Sequence, residues 1–184
     1  GIKDGSETNY VYVPAVTTPT PTSILTPTPT PLLAQISNIS YWKLDETTNN
    51  ATVVDERGNS SGTPKNTTVT SSGKIGYARV FGGGTGQYVD MGDNPSQKPA
   101  GNKISISAWF KCNNANAYQG IVGKYKTGNT GYALQTNNQG KVHAILAIGN
   151  TQRKITPSNA VCDSAWHHAV MAYDGSAFKV YIDG

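Results

Sequence analysis

Beyond residue 36 the chain alternates apolar and polar residues with period two over many short runs, the burial pattern of β-strands. The cleanest run is Ile104–Lys111, with Ile104, Ile106, Ala108 and Phe110 on one face and Ser105, Ser107 and Trp109 on the other. Trp166–Tyr173 has strand length, and Phe178–Ile182 alternates after a short link containing Asp174-Gly175, which together read as an antiparallel hairpin. Asp183-Gly184 repeats the turn chemistry, so the sheet is expected to continue and the sandwich to be incomplete at its C-terminus. Further strands are expected at 40–45, within 73–81, and at 87–92, 120–125, 132–135, 141–148 and 153–156. Their starts fall close to the spacing of about 8–12 residues found in all-β sandwiches. No segment sustains a helical period. The fold class is therefore all-β, an antiparallel β-sandwich.

The pattern also divides the chain. Residues 1–13 end in a short alternating stretch, Asn9–Val13. Residues 14–35 form a Thr/Pro-rich linker, with six of the ten prolines between Pro14 and Pro31. Thr-Pro alternation excludes helix and central strand and favours an extended polyproline II spacer of about 3.1 Å per residue. The globular domain covers 36–184.

Composition adds limits. The net charge of +4 is spread along the sequence, so neither nucleic acid nor an anionic membrane surface is expected as a partner. No apolar run approaches the roughly 20 residues of a membrane span. Pairing Ile104–Lys111 with His167–Tyr173 would bring Cys112 beside Cys162; a disulfide is the preferred reading, with two buried free thiols as the alternative. Sequons at Asn38, Asn50, Asn59 and Asn66 are compatible with an extracellular chain.

The motifs YWKLDE (41–46), DERGNSSG (55–62), GKIGYARVFGG (73–83), YVDMG (88–92), ISISAWFK (104–111), GIVGKY (120–125), AWHHAVMAYDG (165–175) and FKVYIDG (178–184) occur in series. Together they resemble the laminin-G-like/concanavalin-A-like lectin superfamily over residues 36–184. The resemblance implies a jelly roll of two stacked antiparallel sheets. Residues 1–13 resemble the closing strand of an immunoglobulin-like repeat of the polycystic-kidney-disease type.

The superfamily includes sugar-binding modules, adhesion modules, calcium-dependent binders and glycoside hydrolases. Its hydrolases carry a Glu-x-Asp-x-x-Glu strand, which would set paired carboxyls beside one bond. This chain has no such strand, so it is read as not an enzyme. His167 and His168 are adjacent on a strand and point to opposite faces, so they cannot both enter one site. Calcium, an oxygen-seeking cation, is the candidate cofactor. Its candidate ligands are Asp55 and Asn59 in one cluster and Asp90 and Asp93, with Asn94, in another.

Sugar binding needs exposed aromatic platforms beside amide and hydroxyl groups. Tyr118, Tyr125 and Tyr132, with Asn137, are the candidates; Trp109 either lines a groove or packs against another layer. The expected function is recognition of a glycan or a surface protein by a module of a larger secreted or cell-surface protein. The alternatives are a structural spacer, or an accessory domain of a glycoside hydrolase whose catalytic domain lies elsewhere.

Overall fold

The strand pattern is realised in a computed structural model that describes residues 39–98, 103–126, 130–149 and 151–184. The readings made for residues 1–13, for the 14–35 linker and for the Asn38 sequon lie outside the described residues. One compact unit covers Ile36–Gly184.

Four short strands come first: β1 (Thr63–Lys65), β2 (Thr68–Thr70), β3 (Ala78–Val80) and β4 (Tyr88–Asp90). Seven longer ones follow: β5 (Ile104–Lys111), β6 (Gln119–Lys126), β7 (Thr130–Thr136), β8 (Val142–Ile148), β9 (Thr151–Ile155), β10 (Trp166–Tyr173) and β11 (Phe178–Ile182). The described helical content is one 3-10 turn, Pro95–Gln97, capped by Asn94, whose Oδ1 accepts the Ser96 N–H.

The long strands make two antiparallel sheets, β6-β7-β8-β9 and β11-β10-β5; β1 pairs with β4, and β2 with β3. The two large sheets bury a common core. Tyr132, Leu134, Val142, Ala144 and Leu146 come from one sheet, and Phe110, Ala169, Met171 and Tyr173 from the other. The fold is thus an all-β jelly-roll sandwich.

The alternation of Ile104–Lys111 explains the register. Ile106 stands opposite Met171 and Ala108 opposite Ala169, so inward residues meet inward residues, while Ser107 meets Val170 and Trp109 meets His168 on the outer face. Slipping by one residue would turn the whole inner set to solvent. The β10–β11 hairpin also forms as read. Asp174 Oδ1 accepts the Ser176 and Ala177 N–H groups, and Gly175 takes a φ of 102°.

Cys112 and Cys162 form the disulfide. It holds the end of β5 to the loop before β10, where Ser164 N–H also donates to the Cys112 carbonyl.

One expectation is corrected by the structure, and two strands lie where none was expected. The strand expected at 40–45 is a single bridge between Trp42 and Asp55. Leu44 has a φ of 59°, which breaks extended pairing, and Trp42 and Leu44 are half-buried rather than core. Strands β1 and β2 were missed, because they lie in a polar Thr/Lys stretch with no apolar alternation.

Beside them Arg79 is buried with no exposed side-chain surface. It donates to the Asn49 carbonyl at 2.8 Å and the Thr67 hydroxyl at 3.1 Å, and pairs with Glu46 at 3.2 Å. This guanidinium gathers the 46–51 loop onto the β2-β3 pair.

Candidate functional site

Cross-strand register arranges the outer face of the four-stranded sheet in rows. Tyr125, Gly131, Ala147 and Gln152 form one row, and Gly123, Ala133, Ile145 and Lys154 the next. Gly120, Gln135 and His143 form the third.

Tyr125 and Gln152 sit on the two edge strands, yet Gln152 Nε2 donates to the Tyr125 hydroxyl. The two side chains therefore reach toward each other over Gly131 and Ala147, which have little or nothing to obstruct them. Gly131 is required there: its φ is 107°, and a Cβ would collide with the Lys124 carbonyl. In the third row, His143 Nδ1 lies 2.6 Å from the Thr156 hydroxyl, and its ring meets Tyr118 edge-on at 6.2 Å. Burial, helped by nearby Lys154, lowers the His143 pKa.

The result is a lane floored by Gly123, Ala133 and the bulkier Ile145, the last two buried, between two taller walls. Tyr118 is 61% exposed and Tyr125 39%, so both rings are available. Rows two residues apart stand about 7 Å from one another along a strand. Aromatic faces beside amides and an imidazole offer stacking together with hydrogen bonds, the combination a hydroxyl-rich ring needs.

Trp109 stands on the outer face of the other sheet, 45% exposed. Its ring lies 5.0 Å from that of His168, and the Lys74 ammonium sits 4.6 Å from the indole centroid. His168 Nε2 is 2.8 Å from the Ser107 hydroxyl. His167 points the other way, as strand alternation requires. Its Nδ1 meets Asp183 at 2.7 Å and its Nε2 meets Asp163 at 3.1 Å.

A third place is an open hollow of about 420 Å³ lined by Asn59, Ser60, Ser61, Met91, Gly92, Asp93, Asn94 and Pro95. It draws together Asn59 from one expected calcium cluster and Asp93 and Asn94 from the other. Asp55 does not line it. That carboxylate is 3% exposed and accepts the N–H groups of Tyr41, Arg57 and Ser60 at 2.9–3.0 Å. Burial works against its ionisation, but these backbone donors outweigh burial and hold its pKa below the usual value. Asp90 turns back to accept the Gly92 N–H. Asp93 pairs with Lys124 and Lys98, which pull its pKa down to about 2. Among the described residues, no three His, Cys, Asp or Glu side chains converge as a metal-binding group.

The five residues read as ligand-binding thus separate. Tyr118 and Tyr125 flank the lane, and Trp109 occupies the opposite side of the sandwich. Tyr132 is buried in the core, its hydroxyl donating to the Gln97 carbonyl at 2.9 Å. Asn137 is buried in a turn, its Oδ1 accepting the Gln139 and Lys141 N–H groups. Sequence reading missed Gln135, His143 and Gln152 in the lane, and Lys74 beside Trp109. Strand parity could have put His143 and Gln135 on an outer face, but not beside Tyr118.

A family model described as the concanavalin A-like lectin/glucanases superfamily, of laminin G type, matches residues 81–184, more than half of the chain. No curated protein and no solved structure matches it.

Proposed function

The chain belongs to the concanavalin A-like lectin/glucanase superfamily, and on that premise we propose that it is a non-catalytic module that recognises a glycan through the outer face of its four-stranded sheet. One observation carries this reading: two exposed tyrosines, Tyr118 and Tyr125, flank a low apolar floor of Gly123, Ala133 and Ile145 edged by Gln135, His143 and Gln152. A sugar ring would stack on a tyrosine while its hydroxyls meet the amides and the imidazole.

An extracellular setting accords with the disulfide, which persists in oxidising compartments. No helix among the described residues is long and apolar enough to cross a membrane. The reading also includes a Thr/Pro tether over 14–35 and membership of a larger chain.

A glycan array run with calcium and with chelator, followed by calorimetry on the hits, tests this. Tyr125→Ala and Tyr118→Ala should each weaken binding about tenfold, as loss of one stacking platform implies. Chelator should leave binding unchanged, because Asp55 is engaged by backbone donors and Asp93 by two lysines. Dependence on calcium would instead move the site to the hollow around Asn59, Asp93 and Asn94. An array without hits under both conditions, or hits indifferent to both tyrosines, would reject the lane and favour a structural spacer.

A further inference from the structure

The outer face of the three-stranded sheet is built differently from the lane. The row Ser107–Val170–Tyr181 crosses all three strands, and Trp109 stands one row away on β5. Trp109 is 45% exposed and Tyr181 46%, so two aromatic rings share one open face with Val170 between them. By strand spacing and rise, their Cα atoms stand roughly 12 Å apart on the diagonal.

Cations from three distant stretches of sequence collect around this face. Lys74 lies against the Trp109 ring, Lys111 projects from the end of β5 beyond Trp109, and Lys179 follows the same outward parity as Tyr181 on β11. Among the described residues none of these three lysines is engaged in an ion pair.

The nearest acids are committed elsewhere. Asp183 accepts the His168 backbone N–H and faces His167. Asp163 caps the Ala165 N–H and also faces His167. Asp174 holds the hairpin turn and feels Lys179 only weakly. The face is therefore aromatic and carries three lysines outside any ion pair, while the aspartates at its margin are held by backbone N–H groups and His167. The sequence, in which these lysines stand 37 and 68 positions apart, gives no sign of it.

We propose that this face is a second binding surface, independent of the lane, and that its ligand is a carboxylate-bearing polysaccharide. Sugar rings lie along Trp109, Val170 and Tyr181. The Lys74 ammonium swings from the indole to a ring carboxylate, while Lys111 and Lys179 meet carboxylates at either end. The Ser107 hydroxyl and the His168 imidazole, already 2.8 Å apart, supply hydrogen bonds to sugar hydroxyls. Charge complementarity selects this occupant, because a neutral chain would leave the cations without counter-charge. A module with two such faces joins two chains of different chemistry.

The test uses polygalacturonate and its methyl-esterified form, which share a backbone and differ in charge, titrated against the whole chain with tryptophan fluorescence and calorimetry. The acid form should bind, and should weaken as salt rises toward screening. The ester should bind about tenfold more weakly or less, as should the acid form to Trp109→Ala and to the surface variant Lys74→Gln. Neutral-glycan binding at the lane should survive both substitutions.

Equal binding of acid and ester, or indifference to both substitutions, would overturn the proposal. So would loss of the acid form in Tyr125→Ala, which would put it in the lane. Self-association in sedimentation that vanishes with Trp109→Ala would also overturn it, by making a second copy of the chain the occupant.

Discussion

Arg79 is the residue on which the loop-rich first part of the domain turns. Its guanidinium has no exposed surface, and Glu46, the Asn49 carbonyl and the Thr67 hydroxyl surround it. Removing one partner of such a buried pair leaves the other charge without compensation, at a cost of about 3–5 kcal/mol. Arg79→Ala should therefore lower the unfolding free energy by an amount of that size, whereas Lys43→Ala, which breaks the exposed Lys43–Glu56 pair, should change it little. Chemical denaturation of the two variants checks this. The sequence shows Arg79 only as part of a family-like run, because burial of an arginine depends on partners 12 to 33 positions away. The same limit explains Tyr132. Exposed and buried tyrosines look alike until the strand's inward parity and its neighbours are known.

At the scale of elements, His167 ties β10 to two segments, the 162–165 loop through Asp163 and the end of β11 through Asp183. Both ring nitrogens face carboxylates, so both hydrogen bonds are made at once only by the imidazolium. The hydrogen bond to Asp183 is the largest influence; burial opposes it, and Asp163 adds to it, leaving the His167 pKa above its ordinary value of 6.5. A raised folded-state pKa means that the stabilisation is complete below the unfolded value near 6.5 and is lost as pH rises through the higher folded value. Unfolding midpoints measured from pH 5.5 to 8.5 should fall over that window in the parent chain, and the fall should shrink in His167→Gln. A ring titration midpoint at or below 6.5 by NMR would contradict this.

Element boundaries show where pattern reading works. Ile104–Lys111 and Trp166–Tyr173 were legible because one face is uniformly apolar. β1 and β2 were not, because their pairing depends on β4 and β3 rather than on side chains facing a core.

Across the whole molecule, the disulfide closes a 50-residue loop that contains the entire four-stranded sheet. In the chain-entropy account a loop of this size contributes about 4 kcal/mol. The double variant Cys112→Ser with Cys162→Ser should lose about that much in a single cooperative transition followed by calorimetry. If only the 112–118 loop loosened while the midpoint held, the bond would be local in effect. That loop carries Tyr118, so the lane's affinity should fall with it.

The jelly-roll class, the pairing of Ile104–Lys111 with the strand of the 166–182 hairpin, and the Cys112–Cys162 disulfide were readable in advance. They follow from period-two burial, turn chemistry and a resemblance spread over eight motifs, all properties of neighbouring residues in one chain. Which side chains share a surface was decided only by the tertiary structure. It set Tyr118 beside His143, sent Trp109 to the opposite face, and gathered Lys74, Lys111 and Lys179 around that face. Strand order and sheet stacking fix these neighbours, and neither is encoded in local alternation.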